Sequence, residues 1–197
     1  MDTTAPVIAL VASAGGLDAV TSVLAPLTPP FGAPILVLIH QAPDHTSRLP
    51  QILSSRSALP AAHAEHGERL EPDRVLVAPP GKHLLVTNGD RLALVISGDY
   101  PPNRPSADLL MASMGLCLGP RAIAVVLSGG GHDGATGATI VHDFGGFVLT
   151  ADEASSRAYA MPDAANRRDH AVDETLPVDA IAARLRQLVE ERRLPAG

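Results

Sequence analysis

The chain has 197 residues, of which 46% are hydrophobic, so it can bury the core of one compact α/β domain covering residues 1–197. Its formal net charge is -6 and no basic run occurs, which makes a nucleic acid a poor candidate for a partner. The single cysteine, Cys117, excludes a disulfide framework and a cysteine-based metal site. The N-terminus lacks a basic region and no apolar run approaches the length of a membrane span, so we expect a cytoplasmic protein without membrane insertion.

The first stretch with a clear pattern is V-I-A-L-V-A-S-A-G-G, from Val7 to Gly16. Its apolar part does not alternate, which predicts a strand buried on both faces, and the paired glycines predict a tight turn into a helix. Ser13 then lies at the carboxyl end of the strand. The backbone N–H after Ser13 and the helix dipole favour negative charge there, either a bound phosphate or an oxyanion. The structural alternative is that Ser13 only caps the helix.

Further apolar runs predict the rest of a sheet. The next run ends directly on His40, and residues 50–73 are expected to form a helix followed by a loop. The stretch from His83 to Ser97 predicts an antiparallel hairpin around the Asn88-Gly89 pair. The other predicted strands are 33–39, 74–78, 122–127, 147–150 and an extended stretch from Val172.

Helical segments alternate with these strands. Ser106 is expected to cap a helix from Ala107 to Leu118, and the further helices are Ala135 to Asp143, a short one from Met161 and a C-terminal one carrying Ile181, Leu185 and Leu188. Such alternation predicts an α/β fold: a doubly wound, mostly parallel sheet with helices on both faces, in a Rossmann-like three-layer arrangement, with the antiparallel hairpin as an appendage.

The strand at 122–127 leads into S-G-G-G-H-D-G-A. Successive glycines indicate that the backbone passes close to a ligand or to another loop. Ser13, His40 and Asp133 thus follow three predicted strands at the same edge of the sheet. A nucleophile, a base and an orienting carboxylate in this arrangement are typical of acyl-transfer hydrolysis. His132 is a weaker alternative base, because it follows flexible glycines and not a strand.

Each residue also has a purely structural interpretation. His40 would then bond only to a loop carbonyl, and Asp133 would be only the N-cap of the next helix. A metal site could draw on His40, His45, His132 and His142, but these residues lack any recognisable ligand spacing. We therefore interpret the many histidines as surface residues and expect no metal.

At these segments the sequence resembles the catalytic domain of the CheB-type protein-glutamate methylesterases of bacterial chemotaxis. The matching stretches follow the family's order along nearly the whole chain: A-S-A-G-G-L-D-A-V at 12–20, H-Q-A-P-D-H-T-S-R-L at 40–49, A-P-P-G-K-H at 78–83, R-P-S-A-D-L-L at 104–110, L-S-G-G-G-H-D-G-A at 127–135 and D-E-A-S-S-R-A-Y-A-M-P at 152–162. Ala14, Ile39, Gln41, His45 and Gly130 depart from the residues that are frequent in the family, and the loop at 101–105 is shorter.

The resemblance implies that Ser13 is the nucleophile, His40 the base and Asp133 its orienting partner. It also implies a substrate, the methylated glutamate side chains on a chemoreceptor's cytoplasmic helices, with glutamine deamidation as a related reaction and no cofactor. By their positions, the backbone N–H groups of Ala14 and Gly130 are the expected oxyanion donors.

Members of this family usually carry a receiver domain ahead of the catalytic one, and we expect this chain to lack it. It would then act alone or pair with a separate response regulator. The alternatives are a non-catalytic signalling module that docks on receptors or a kinase through the same edge, and a domain that binds phosphate or a small molecule at the Ser13 turn.

Overall fold

The structure is a computed structural model that describes residues 5–42, 46–98 and 103–192. Within these ranges the strands are β1 (Val7–Ala12), β2 (Ile35–Ile39), β3 (Ala61–His63), β4 (Val75–Val77), β5 (His83–Thr87), β6 (Arg91–Val95), β7 (Ala122–Val126), β8 (Phe147–Ala151) and β9 (Glu174–Leu176). The helices are α1 (Gly16–Leu24), α2 (Leu49–Arg56), α3 (Ala107–Leu118), α4 (Ala135–Asp143), α5 (Ala160–Asn166) and α6 (Val178–Arg192). No helix in this part of the chain is both long enough and apolar enough to cross a membrane.

Seven strands form one sheet in the order β3-β4-β2-β1-β7-β8-β9. All neighbouring strands run parallel, with Leu10 of β1 opposite Val37 on one side and Val125 on the other. The predicted doubly wound α/β sheet is therefore confirmed.

Two apolar layers cover the faces of the sheet. Ile8, Leu10 and Ala12 of β1 pack with α1, α2 and α6, whereas the intervening residues of β1 pack with α3, α4, α5 and the β5–β6 hairpin. Every residue of β1 is buried, which explains why its sequence shows no polar alternation.

The predicted hairpin is present as a separate two-stranded antiparallel sheet. It is joined to α3 by the Ser113 hydroxyl, which accepts a hydrogen bond from the Val86 N–H at 2.9 Å.

The expectation of only a helix and a loop at residues 50–73 is wrong, because residues Ala61–His63 form the edge strand β3. This strand has three half-buried residues and no apolar run, so its sequence carries little strand signal. The other differences are small shifts at element ends: β7 stops at Val126, β8 continues to Ala151 and β9 begins at Glu174.

The site follows from the strand order. The chain leaves β1 for β2 on one side and returns to β7 on the other, so the carboxyl ends of β1 and β7 border a crevice at a topological switch point. Ser13 follows β1, and the glycine loop that contains Asp133 follows β7.

Candidate active site

Ser13 lies in a tight turn between β1 and α1. Its N–H donates to the Ser128 carbonyl at 2.9 Å, and its own carbonyl accepts from the Gly16 N–H at 2.9 Å. Gly15 adopts a φ of 75° and serves as the N-cap position of α1, which has no side-chain cap. The interpretation of Ser13 as a helix cap is therefore wrong, and its half-buried hydroxyl is not used by the helix.

The glycine loop passes directly beside Ser13. A Cβ added at Gly129 would lie 2.9 Å from the Ser13 Cβ and would overlap the Met161 sulfur. The backbone at Gly129 is also held by residues before α5, because the Gly129 N–H donates to the Ala158 carbonyl at 2.8 Å. Gly130 has open space on its side-chain side. Of the three glycines, Gly129 is thus the one needed for the close approach to another loop that the sequence predicts.

His40 follows β2 and meets Asp133 across the crevice. Its backbone N–H donates to the Ala12 carbonyl at 3.0 Å, and its ring Nε2 lies 2.8 Å from the Asp133 Oδ2. Because a carboxylate only accepts hydrogen bonds, Nε2 carries the hydrogen and Nδ1 of the neutral ring is left as the acceptor. The His40 ring is 15% exposed, and among the described residues it bonds to this carboxylate and not to a loop carbonyl.

The Asp133 carboxylate lies on the N-terminus of α3. It accepts hydrogen bonds from the Ser106 hydroxyl at 3.0 Å and from the backbone N–H groups of Ala107 at 2.7 Å and Asp108 at 2.9 Å. Asp133 does not cap α4, whose N-cap position is Gly134 without a side-chain bond, so that alternative is wrong. The carboxylate instead caps α3, which begins 26 residues earlier in the chain.

These contacts set the charge of Asp133. Burial alone would raise the pKa of Asp133, but the hydrogen bonds from His40 and from the backbone of Asp108 and Ala107 outweigh it and leave the pKa below its usual value. The side chain is therefore an anion at neutral pH, suited to stabilise a positive charge on His40.

A second histidine, His83, contacts the start of α3. His83 is buried, its Nδ1 accepts from the Ser106 N–H at 3.2 Å, and its Nε2 lies 2.7 Å from the Ser97 hydroxyl. Burial, followed by the charge of Arg104, lowers the pKa of His83. His83 is therefore a neutral ring that holds Ser106 in place.

Ser13, His40 and Asp133 line one open cleft of about 530 Å³. The remaining lining residues are Asn103, Ser106, Asp108, Leu109, Gly130, Gly131 and His132. Within the described ranges the Ser13 hydroxyl makes no hydrogen bond with His40, so the structure unites the imidazole and the carboxylate and places the serine in the same cleft beside them. Such bonds are often long in unliganded enzymes and tighten when a substrate binds.

The candidate oxyanion donors are uncommitted. Neither the Ala14 N–H nor the Gly130 N–H donates to any group in the part of the chain that the structure describes.

Exposed His132 also lines the cleft, but the Asp133 carboxylate bonds to His40 and not to His132. His45 and residues 101 and 102 lie outside the described residues, and among the described ones no set of three or more potential ligands could hold a metal ion.

Sequence reasoning missed the supports of Asp133. It found Ser106 only as a helix cap, and it assigned no role to His83 or Asp108. The signal was the R-P-S-A-D stretch, in which a cap residue is followed by an acid in the first helical turn. What that acid binds is 26 and 29 residues away, beyond any local pattern.

The fold and this site together define a doubly wound α/β protein with a His–Asp pair and a serine at the switch point of its sheet. The chain belongs to the CheB methylesterase family, whose profile matches residues 8–185. The resemblance found in the motifs is thereby confirmed.

Individual relatives agree with this assignment. The protein-glutamate methylesterase FrzG of Myxococcus xanthus is 40% identical over 185 residues, which cover 94% of this chain and 55% of the relative. The protein-glutamate methylesterase/protein-glutamine glutaminase 2 of Anaeromyxobacter dehalogenans is also 40% identical over 185 residues, covering 92% and 53%. The chain thus spans about half the length of these curated relatives.

A solved structure matches over the whole fold. The crystal structure of the Thermotoga maritima CheB methylesterase catalytic domain superposes with a TM-score of 0.88 at 30% identity, covering 94% of this chain and 99% of that chain.

Proposed function

We propose that this chain is a serine esterase that hydrolyses glutamate methyl esters on chemoreceptor proteins and also deamidates glutamine side chains. One observation carries the proposal: His40 and Asp133 form a 2.8 Å pair in the cleft that Ser13 lines. A histidine held by a buried carboxylate is the arrangement that activates a serine hydroxyl. The names of the relatives supply the ester as substrate.

In the proposed reaction the Ser13 Oγ attacks the ester carbonyl carbon while its proton moves to the His40 Nδ1. The tetrahedral adduct collapses, and the methoxy group leaves as methanol with the proton from His40. Water then attacks the acyl-enzyme with His40 again as base, releasing the glutamate side chain and restoring Ser13. Asp133 holds the ring by Nε2 throughout and stabilises the imidazolium.

The developing oxyanion needs donors that are not already bonded. We assign this role to the N–H groups of Ala14 and Gly130, which donate no hydrogen bond within the described residues and flank Ser13 from the serine turn and the glycine loop. The nearby N-terminus of α1 adds a favourable dipole.

The proposed substrate is the set of methylated cytoplasmic helices of a chemoreceptor, so we place the protein in the cytoplasm. We further propose that residues 1–197 act as one catalytic unit, either alone or paired with a separate response regulator. No cofactor takes part in the proposed steps.

Methanol release from receptor-containing membranes tests the assignment. We expect Ser13→Ala to lower release by at least about 10³-fold, since loss of the nucleophile removes the covalent route. Ser22→Ala is the matched control, because Ser22 is an exposed serine of α1 outside the cleft. Equal release by the wild type and Ser13→Ala would show the proposal to be wrong, whereas receptor binding without release by either protein would favour the docking module.

A further inference from the structure

We propose that Asp108 is a positioning residue that fixes Asp133, and through it His40, by holding the start of helix α4. The cleft is that of the proposed function, so the kinetic part of the test rests on that function, and the spectroscopic part does not.

The Asp108 carboxylate bonds to backbone that continues directly from Asp133. Its Oδ1 accepts from the Gly134 N–H at 2.9 Å and from the Gly137 N–H at 2.7 Å. Both groups belong to the first N–H donors of α4, which have no partner within their own helix. Asp108 is therefore the cap that α4 lacks in its own sequence.

The two helix starts complete each other. The Asp133 carboxylate accepts from the N–H groups of Ala107 and Asp108 at the start of α3, while the Asp108 carboxylate accepts from the start of α4. We call this closed set of bonds the crossed caps. Each carboxylate also lies near the positive end of the other helix's dipole, which stabilises its charge.

Close packing makes this contact sensitive to displacement. A Cβ added at Gly137 would lie 2.6 Å from the Met111 Cβ and 3.1 Å from the Asp108 Cα. The backbone of α4 at Gly137 therefore packs directly against α3. Gly134 is buried, so loss of the Asp108 acceptor would leave a buried backbone N–H without its hydrogen-bond partner, which is costly. The backbone would then move, and Asp133 would move with it.

The accepting oxygen, and not the charge, is what the backbone needs. Burial raises the pKa of Asp108, although hydrogen bonding from Gly137 opposes this, so ionisation is the costly part of its environment. Asparagine keeps an acceptor of the same length. Alanine removes the acceptor, and glutamate keeps the charge but displaces it by one methylene.

The test compares Asp108→Asn, Asp108→Ala and Asp108→Glu. We expect Asp108→Asn to retain kcat on methylated receptor within about 3-fold, while Asp108→Ala and Asp108→Glu lose about 30-fold or more in kcat with little change in KM, because an ångström of misplacement is enough for such losses. Asp18→Ala is the matched control: Asp18 lies in the first turn of α1, is exposed and accepts no hydrogen bond through its side chain within the described residues.

A second measurement reports on geometry without catalysis. The His40 ring proton bonded to Asp133 should give a downfield proton resonance by NMR in the wild type and in Asp108→Asn, and this resonance should disappear in Asp108→Ala and Asp108→Glu. It can be recorded even if the wild type proves inactive on esters, so failure of the proposed function is distinguished from failure of this inference.

Two results would overturn the inference. One is that Asp108→Ala and Asp108→Glu keep both the resonance and kcat within about 3-fold of the wild type. The other is that Asp108→Asn loses as much as they do, which would mean that charge and not position matters. If Asp108→Ala fails to fold, Asp108→Glu against Asp108→Asn decides alone.

Discussion

At the scale of single residues, the Asp133 carboxylate is held in place by its hydrogen bonds. Four hydrogen-bond donors meet on it, from His40, Ser106 and the first backbone N–H groups of α3. Three of them come from the start of one helix, so the carboxylate is fixed in place independently of the histidine. A fixed carboxylate can hold the imidazole in one tautomer, which is the condition for general-base catalysis at the opposite nitrogen.

Replacing Asp133 with asparagine tests both consequences of this environment. We expect Asp133→Asn to lower kcat by about 10³–10⁴-fold, because an amide can donate to the imidazole and favour the wrong tautomer. The variant should also lose about 1–3 kcal/mol of stability near neutral pH, since charge-assisted bonds to the helix start are weakened.

The pH dependence of that loss has a definite sign. Because the pKa of Asp133 is lowered in the folded state, its ionisation stabilises the fold fully above the unfolded-state pKa of about 3.9, and this contribution fades as pH falls through the folded-state value. The stability gap between the wild type and Asp133→Asn, measured by urea unfolding, should therefore shrink on acidification. Asp163→Asn, in an exposed pair with Arg167, should show a small gap at every pH. A gap that grows toward acid would contradict this assignment.

At the scale of elements, the site depends on two turns that approach each other closely. The serine turn after β1 and the glycine loop after β7 are joined by the Ser128 hydroxyl, which donates to the Ala14 carbonyl at 2.7 Å and accepts from the Ala158 N–H at 2.9 Å. Gly129 fills the narrowest point between the serine turn and α5, where no side chain fits.

Gly129→Ala should therefore destabilise the protein by about 1–3 kcal/mol, because the added methyl group overlaps Met161 and presses on Ser13. Urea unfolding measures the loss, and Gly130→Ala is the control for stability alone, since nothing lies within 4 Å of a Cβ at that position. Equal stability of the two variants would mean that the loops can separate at no cost.

How far the elements could be predicted depends on burial. The apolar runs of β1, β2 and β7 and the cap at Ser106 identify their elements because each signal is local and strong. The edge strand β3 carries no such signal, because Ala61 and Ala62 pair with β4 through backbone alone and are only half-buried. This strand forms because β4 offers backbone pairing partners, and not because of the strand propensity of its own residues.

At the scale of the whole molecule, the supports of the proposed site lie on one side of the sheet. Asp133 and its supports belong to the layer of α3, α4 and the hairpin, whereas α6 packs on the opposite face of the sheet. The sheet, buried on both sides, separates the two layers. A substitution in α6 should therefore affect the cleft only through global stability.

Leu185→Ala in α6 tests this separation. Leu185 is fully buried, so we expect a loss of about 2–5 kcal/mol in the free energy of unfolding. Below the unfolding transition kcat should stay near the wild-type value, and circular dichroism and labelling of Ser13 by a serine-reactive probe should report one cooperative transition. A fall in kcat well below that transition would show that α6 influences the cleft directly.

The residues of the proposed site could be named from the sequence, whereas the residues that support Asp133 could not. Ser13, His40 and Asp133 could be named because parallel strands bring their carboxyl ends to one edge, a rule that needs no coordinates. That Asp133 rests on α3, and Asp108 on α4, depends on how two helices are placed against each other. No spacing in the chain encodes that placement.

The crossed caps carry a lesson for engineering. Because Asp133, just before α4, caps α3 and Asp108 of α3 caps α4, the two helices should be exchanged between proteins only together. Hybrid enzymes assembled from two family members should accept a graft of the whole span from Ser106 to Asp143, and should misplace Asp133 when the crossover point falls between the two helices.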